Sequence, residues 1–173
     1  MRWLLLALAV LLAPLPARAE ARDPDSHFFM ARAGDFRAEL GVARQAGKQG
    51  VLIMFGMEEC AYCARMKTHV LNQSEVQDYF RNHFLIYDVN VRGDTPLIDF
   101  QGRATTEKAF ALEQRARATP VFIFYDLDGN AVTRFTGATQ TAGEFLLLGR
   151  YVVEGAHTTS VPFNTFRKQG KAP

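Results

Sequence analysis

Two cysteines separated by two residues are the side chains of this sequence best suited to chemistry. They are Cys60 and Cys63, and the 173 residues contain no others. A Cys-x-x-Cys pair can cycle between a dithiol and a disulfide, because the thiolate of one cysteine attacks a disulfide and the second cysteine then resolves the product. Two other uses of such a pair are part of a zinc site and a structural crosslink.

The two other uses fit the rest of the chain poorly. A structural zinc site normally takes four ligands, and the sequence offers no second cysteine pair. His69 follows Cys63 by six residues, which is about 240° further around a helix and away from that face. A crosslink spanning four residues would stabilise the fold by only about 2 kcal/mol. Redox chemistry is therefore the favoured interpretation.

The cysteine pair lies between an apolar run and a helical pattern. Residues 51–55 are continuously apolar, which predicts a strand buried on both faces, and residues 61–71 place Cys63 on an apolar stripe. Cys60 then lies at a helix N terminus, where unpaired N–H groups and the helix dipole favour a thiolate. We therefore predict that Cys60 is the nucleophile and Cys63, one turn later, the resolving cysteine.

Three further segments predict the other strands of a sheet. They cover residues 84–89, 121–125 and 131–135. Residues 126–130, which contain Asp128-Gly129, have the composition of a hairpin turn between the last two strands. Residues 91–104 contain Gly, Pro and polar side chains, and they predict a loop or an irregular excursion.

Helical patterns fill the intervals between these strands. They cover residues 35–47, 61–71 and 105–115, and capping-box pairs start two more helices at Ser74 (with Gln77) and Thr141 (with Glu144). Strands separated by helices imply parallel pairing, and the terminal hairpin adds antiparallel strands. The sequence therefore predicts an α/β fold with a central mixed β-sheet flanked by helices on both faces.

The first nineteen residues have the pattern of a secretory signal peptide. Arg2 precedes an apolar run over residues 4–13, and Ala17-Arg18-Ala19 offers small residues for cleavage before Glu20. The run is about half the length of roughly twenty residues that a membrane-spanning helix needs. We expect residues 1–19 to be removed and the mature protein to have no stable membrane anchor.

The charge of the mature chain argues against one class of partner. The sequence has 20 Lys and Arg and 18 Asp and Glu residues, and Arg2 and Arg18 belong to the predicted signal, which leaves 18 of each sign. A balanced surface without a basic cluster argues against binding of nucleic acid. The length suits one domain, predicted over residues 35–154, after a leader segment (20–34) and before a C-terminal tail (155–173).

Two motifs together resemble the thioredoxin superfamily. They are the strand–Cys60-Ala61-Tyr62-Cys63–helix unit and the Ala118-Thr119-Pro120 run that opens the later hairpin, and the resemblance covers about residues 36–153. It implies a thioredoxin fold and a thiol–disulfide oxidoreductase that needs no cofactor and no metal.

The resemblance also implies roles for residues around the cysteines. Pro120 would follow a cis peptide bond and face the pair, and the backbone of Thr119 would hold an extended substrate segment as an added strand. Ala61 and Tyr62, between the cysteines, would also contact the substrate.

Finer features resemble the periplasmic SoxW-like thioredoxins. They lie in residues 55–63, 88–91, 118–122 and 151–166. This resemblance implies a periplasmic reductant of exported protein thiols and disulfides that serves sulfur oxidation. It also implies a membrane electron carrier of the CcdA or DsbD type as the partner that recharges the pair.

Two positions depart from the thioredoxin pattern. Thioredoxins place an aromatic residue, usually Trp, before the first cysteine, where this chain has Glu59. They also carry a buried acid that helps deprotonate the resolving cysteine, and the equivalent position falls near Met54. Asp88 on the neighbouring strand is a candidate substitute, and a surface or capping role for Asp88 is the alternative.

The charges beside the pair favour one direction of electron flow. Glu58 and Glu59 oppose a thiolate on Cys60 by repulsion, and Arg65 and Lys67 compensate in part. We therefore expect the pKa of Cys60 to lie nearer that of a thioredoxin than that of the strongest oxidants, as in a reductase. A disulfide oxidase or isomerase and a non-catalytic binding module stay open as alternatives.

Overall fold

The computed structural model describes residues 20–31 and 34–170. In chain order its elements are α1 (Pro24–His27), α2 (Phe36–Gln45), β1 (Gly50–Gly56), α3 (Ala61–His69), α4 (Ser74–His83), β2 (Phe84–Asn90), β3 (Pro96–Ile98), β4 (Ala104–Thr106), α5 (Glu107–Glu113), β5 (Val121–Tyr125), β6 (Ala131–Thr136), α6 (Ala142–Val153), a 3₁₀ turn (Ala156–Thr158) and α7 (Phe163–Gln169). The predicted signal peptide, residues 1–19, lies outside the described residues.

The central sheet has the strand order β2-β1-β5-β6. β1 pairs in parallel with β2 and antiparallel with β5, and β5 pairs antiparallel with β6. The parallel pair is connected through α3 and α4, whereas β5 and β6 form the predicted hairpin. The prediction of an α/β fold with a mixed sheet is confirmed.

Side chains of β1 alternate between two hydrophobic cores, one on each face of the sheet. Leu52 and Met54 belong to the core that α3, α4 and α6 cover. Val51, Ile53 and Phe55 belong to the core that α2 and α5 cover. Because both faces are covered, the strand is apolar throughout, and its C-terminal end delivers the chain directly to the cysteine pair.

Side-chain caps start three helices where the sequence predicts a helix. The Asp35 carboxylate accepts the N–H of Ala38 at 2.9 Å at the start of α2. Thr106 caps α5, and the hydroxyl of Thr141 accepts the N–H of Glu144 at 3.1 Å at the start of α6. These bonds satisfy N–H groups that the helices leave unpaired.

The capping-box prediction at Ser74 and Gln77 is wrong. Gln73 occupies the cap position of α4 without a side-chain bond, and the N–H of Ser74 donates to the carbonyl of Glu20 at 3.1 Å. The buried Gln77 amide donates instead to the carbonyl oxygen of Leu71 at 2.8 Å. Tertiary contacts with the N-terminal segment therefore replace the local cap.

The predicted loop over residues 91–104 contains regular structure. β3 and β4 form a small antiparallel pair in which Leu97 faces Thr105. The buried carboxylate of Asp99 holds the turn, because it accepts the N–H groups of Gln101 and Arg103, both at 2.9 Å. Strands of three residues are too short to show an alternating pattern in the sequence.

The segment predicted as a leader packs closely onto the domain. Phe28 is fully buried and Phe29 nearly so, and both belong to the core on the α4 and α6 face. The N–H of Arg22 donates to the carbonyl of Asn72, and that of Met30 to the carbonyl of Ile86, both at 2.8 Å. Residues 20–31 are therefore a part of the folded unit.

Aromatic residues dock the C-terminal segment. The rings of Phe163 and Phe166 lie 5.6 and 5.3 Å from the ring of Tyr151 on α6. The Tyr151 hydroxyl donates to the carbonyl of Val161 at 2.8 Å. Within residues 20–31 and 34–170, no helix is long and apolar enough to cross a bilayer.

Candidate active site

A disulfide joins Cys60 and Cys63 at the N terminus of α3, directly after the turn that follows β1. Their Cα atoms are 5.1 Å apart. Cys60 is the N-cap residue, and its sulfur accepts the backbone N–H of Cys63 at 3.1 Å. In the reduced protein this N–H and the helix dipole would stabilise a thiolate on Cys60. The geometry is therefore that of a nucleophile at position 60.

The loop before β5 lies against this disulfide. The Thr119–Pro120 peptide bond is cis, and the Cys60 sulfur lies 3.4 Å from the carbonyl oxygen of Thr119. Pro120 is buried, and its carbonyl accepts the N–H of Gly137 at 2.8 Å. The turn after β1 and the loop before β5 thus meet at the Cys60 sulfur. The hairpin holds the backbone of that loop, because Gly137 bonds to Pro120.

The residues between the cysteines form the exposed rim of the site. Ala61 is exposed, and Tyr62 is 64 % exposed, the only large aromatic side chain so open among the described residues. The cysteines are only 6 % and 5 % exposed, so burial does not distinguish the nucleophile from the resolving residue. The assignment of the nucleophile to Cys60 rests on its position at the helix N terminus and stays a prediction. The substrate roles of Ala61, Tyr62, Thr119 and Pro120 stay predictions.

The two glutamates before Cys60 lie on the surface. Glu58 and Glu59 are exposed, and the carboxylate of Glu59 lies 3.1 Å from the guanidinium of Arg92. Both partners of this ion pair are well exposed, so its contribution to stability is small, yet Arg92 offsets part of the repulsion that Glu59 exerts on a thiolate. Their tuning role stays a prediction.

A cavity of about 450 Å³ opens on the other side of the disulfide, next to Cys63. The side chain of Lys67 lies in its wall and contacts two carboxylates, Asp25 at 2.8 Å and Asp88 at 3.1 Å. Burial opposes the charge on Lys67, but the bonds and charges of Asp25 and Asp88 outweigh burial and raise the pKa of the lysine. The Lys67 ammonium therefore forms a cluster with Asp25 and Asp88. The expected compensation of the charges of Glu58 and Glu59 by Lys67 does not involve an ion pair with either glutamate.

Sequence reasoning does not assemble this cluster, because its members come from α1, α3 and β2. Asp88 is the only member that the sequence singles out as an acid near the pair. Met54, at the position where thioredoxins carry a buried acid, lines the same cavity and is paired with Asp88 across the two strands. Among the described residues, no group of three or more His, Cys, Asp and Glu side chains is placed to hold a metal ion.

The family of thioredoxin-like domains matches residues 36–152. Among solved structures, a thioredoxin from Thermus thermophilus is 29 % identical, with a TM-score of 0.55 over 74 % of this chain and 92 % of that one. A DsbH oxidoreductase is 13 % identical, with a TM-score of 0.59 over 86 % and 96 % of the two chains. A putative disulphide isomerase from Bacteroides thetaiotaomicron is 21 % identical, with a TM-score of 0.56 over 80 % and 98 %. No curated protein matches significantly.

The fold and the dithiol site together define a thiol–disulfide oxidoreductase. The cysteine pair lies at the N terminus of α3, beside the loop with the cis proline. The strand that precedes the pair, β1, and the strand that follows the loop, β5, are neighbours in the sheet. The chain belongs to the thioredoxin-like domain family, whose match spans both the Cys60–Cys63 motif and the Thr119–Pro120 loop.

Proposed function

We propose that this protein is an exported periplasmic reductase of protein disulfides, that it serves sulfur oxidation, and that a membrane electron carrier of the CcdA or DsbD type re-reduces it. The surroundings of Cys60 are the observation that supports this direction of electron flow, from the protein to its substrate. Its sulfur receives one backbone N–H, and the two side chains that precede it are carboxylates. A strongly oxidising pair needs a much more stabilised thiolate, because that stabilises the reduced form.

The proposed cycle uses the two cysteines in turn. The Cys60 thiolate attacks one sulfur of the substrate disulfide, and the other substrate sulfur leaves with the bonding electron pair and takes a proton. Cys63 then loses its proton and attacks Cys60, which releases the second substrate thiol and forms the Cys60–Cys63 disulfide. The substrate gains two electrons and two protons, and the carrier later returns both to the pair.

The equilibrium reduction potential of the Cys60–Cys63 pair tests the direction of this cycle. Equilibration with glutathione or dithiothreitol, followed by thiol alkylation and mass analysis, measures it. We expect a value near about −270 mV, as for a reductant, whereas a value near about −120 mV would show an oxidant. A pair that does not equilibrate with either thiol would leave only a binding module.

The proposed export makes a separate prediction about the mature N terminus. Expressed in a Gram-negative host, the protein is expected in the periplasmic fraction with Glu20 as its first residue, because the predicted cleavage site follows Ala19. Intact-mass measurement of the purified protein reads this directly. An Ala19→Arg variant is the matched control and should retain the signal, while a wild-type protein that keeps Met1 would contradict export by this route.

A further inference from the structure

Sulfur atoms are concentrated in the cavity beside Cys63. After the predicted signal the sequence contains four methionines, and three of them line this cavity: Met30, Met54 and Met57. The fourth, Met66, is completely buried and does not line it. The cavity therefore offers three thioethers next to one cysteine, and the dithiol chemistry of the pair uses none of these thioethers.

The open space above Gly56 brings two of the four sulfur-bearing side chains close to one point. A methyl group built on Gly56 would lie 3.5 Å from the sulfur of Cys63 and 3.6 Å from the terminal methyl group of Met54. The thioether sulfur of Met54 is one bond from that methyl group. Because a methionine side chain has three rotatable bonds and a polarizable sulfur, a small rotation turns this sulfur toward an ion in the space.

Met30 and Met57 are the members of this set that solvent reaches. Both are partly exposed, whereas Met54 is buried. The backbone of Met30 is fixed, because its N–H donates to the carbonyl of Ile86 at 2.8 Å. Met57 directly follows the last residue of β1. An ion can therefore enter past two flexible thioethers and reach the buried sulfurs.

The charge of the cavity favours a cation. Among the residues that line it, Asp25, Glu58 and Asp88 are acidic and Lys67 alone is basic. Asp25 and Asp88 bind Lys67 at 2.8 and 3.1 Å, so their main contribution is negative charge. Thiolates and thioethers select copper(I), whereas carboxylates and water suit hard divalent cations. The sulfur donors and the negative charge together favour a soft monovalent cation.

Part of this cavity lies outside the domain that the family match defines. That match begins at residue 36, whereas Asp25, Phe29 and Met30 line the cavity from the preceding segment. The sulfur set is therefore assembled jointly by the thioredoxin-like domain and the N-terminal segment of this chain, and membership of the family does not imply it.

We propose that the reduced protein binds copper(I) in this cavity through one thiolate and three thioethers, those of Cys63, Met30, Met54 and Met57. Binding displaces the proton of the Cys63 thiol to solvent, and copper keeps its oxidation state, so no electron is transferred. While the ion is bound, Cys63 cannot attack Cys60, and copper therefore blocks resolution. The inference requires that the pair can be reduced and does not rest on the direction of electron flow.

Competition for copper(I) under anaerobic conditions tests this site. The purified reduced protein is titrated into the coloured copper(I) complex of bathocuproine disulfonate, and the loss of colour measures uptake of the ion. We expect one copper ion per chain. Met30→Leu and Met57→Leu should each weaken the affinity about tenfold or more, because each removes a sulfur ligand. Leucine has nearly the volume of methionine, so both variants should fold.

Met66→Leu is the matched control for these variants. The Met66 sulfur accepts the hydroxyl of Thr139 at 3.7 Å and lies outside the cavity, so the affinity should stay within about twofold of wild type. Two cysteine variants separate this site from a clamp formed by both cysteines. Cys60 does not line the cavity, so Cys60→Ser should still bind copper(I), whereas Cys63→Ser should bind it at least about a hundredfold more weakly. X-ray absorption should show more than two sulfur neighbours around the ion.

Three results would overturn the inference. They are no uptake of copper(I) by the reduced protein, an affinity that Met30→Leu and Met57→Leu leave unchanged, and an equal loss of affinity in Cys60→Ser and Cys63→Ser. The last two would show that the two cysteines alone hold the ion. The reduction potential of the pair is measured without copper, so a failure of the copper site is distinguishable from a failure of the proposed reductase function.

Discussion

A Cys60→Ser variant is expected to lose catalysed disulfide reduction by at least about a thousandfold. The serine hydroxyl stays protonated at neutral pH, and the N–H of Cys63, which lies 3.1 Å from the Cys60 sulfur, then has no thiolate to stabilise. Dithiothreitol-driven reduction of insulin, followed by turbidity, measures the loss. The fold should be unaffected, because serine is also a favoured N-cap residue.

A Cys63→Ser variant is the matched control for this experiment. It keeps the nucleophile but removes resolution, so mixed disulfides on Cys60 should accumulate and appear as covalent adducts on a non-reducing gel. The Cys60→Ser protein should form none. Substantial activity in Cys60→Ser, or adducts formed through Cys63 in that variant, would show that Cys60 is not the nucleophile.

A Phe80→Ala variant is expected to lower the free energy of unfolding by about 3–5 kcal/mol. Phe80 on α4 is completely buried. Its ring stacks on that of Phe145 with 4.5 Å between centroids and lies 6.3 Å from that of Phe124. Truncation removes this apolar contact and leaves a cavity between α4, α6 and the sheet. Urea unfolding of the oxidised protein, followed by circular dichroism, measures the change.

Leu112→Ala is the control for the stability experiment. Leu112 is 61 % exposed on α5, so its truncation should change the free energy of unfolding by no more than about 0.5 kcal/mol. A loss below about 1 kcal/mol in Phe80→Ala would mean that the core under α4 collapses around the gap, and would contradict the rigid aromatic packing described for this face.

The sheet is predictable from the sequence because its central strands are buried on both faces. The apolar runs over residues 51–55 and 121–125 correspond to β1 and β5 within one residue at each end. Such runs are visible in the local sequence, because a strand that is covered on both faces has no place for polar side chains. The caps at Asp35 and Thr141 are predictable for a similar reason, since each bond spans only three residues.

Features that depend on distant partners are not predictable in this way. Gln77 has the spacing of a capping residue, but its amide donates to the carbonyl of Leu71 and to that of Arg22, 55 residues away in sequence. Phe28 follows the mostly polar residues 20–27, and nothing local shows that it reaches the core. Contacts of this kind are decided by the assembled fold and leave no periodic signal.

The active site also contains both local features, which are predictable from the sequence, and features that depend on distant partners. The predicted roles of Cys60 and Cys63 rest on their spacing and on the strand and helix that flank them. The cluster of Asp25, Lys67 and Asp88 is formed by three elements that are far apart in sequence. Its relation to Cys63 appears only when β1 and β2 pair in the observed register, which places Asp88 beside Met54.

The bond between Met30 and Ile86 has a consequence for the behaviour of the protein in solution. β2 is an edge strand, and an open edge offers unpaired backbone groups to any other strand. Residues 20–31 shield part of this edge, because the N–H of Met30 occupies the carbonyl of Ile86 and Phe28 fills the core beneath. A chain shortened to begin at Asp35 would uncover both at once. We expect such a chain to aggregate through β2. The N-terminal segment would then protect the protein from self-association.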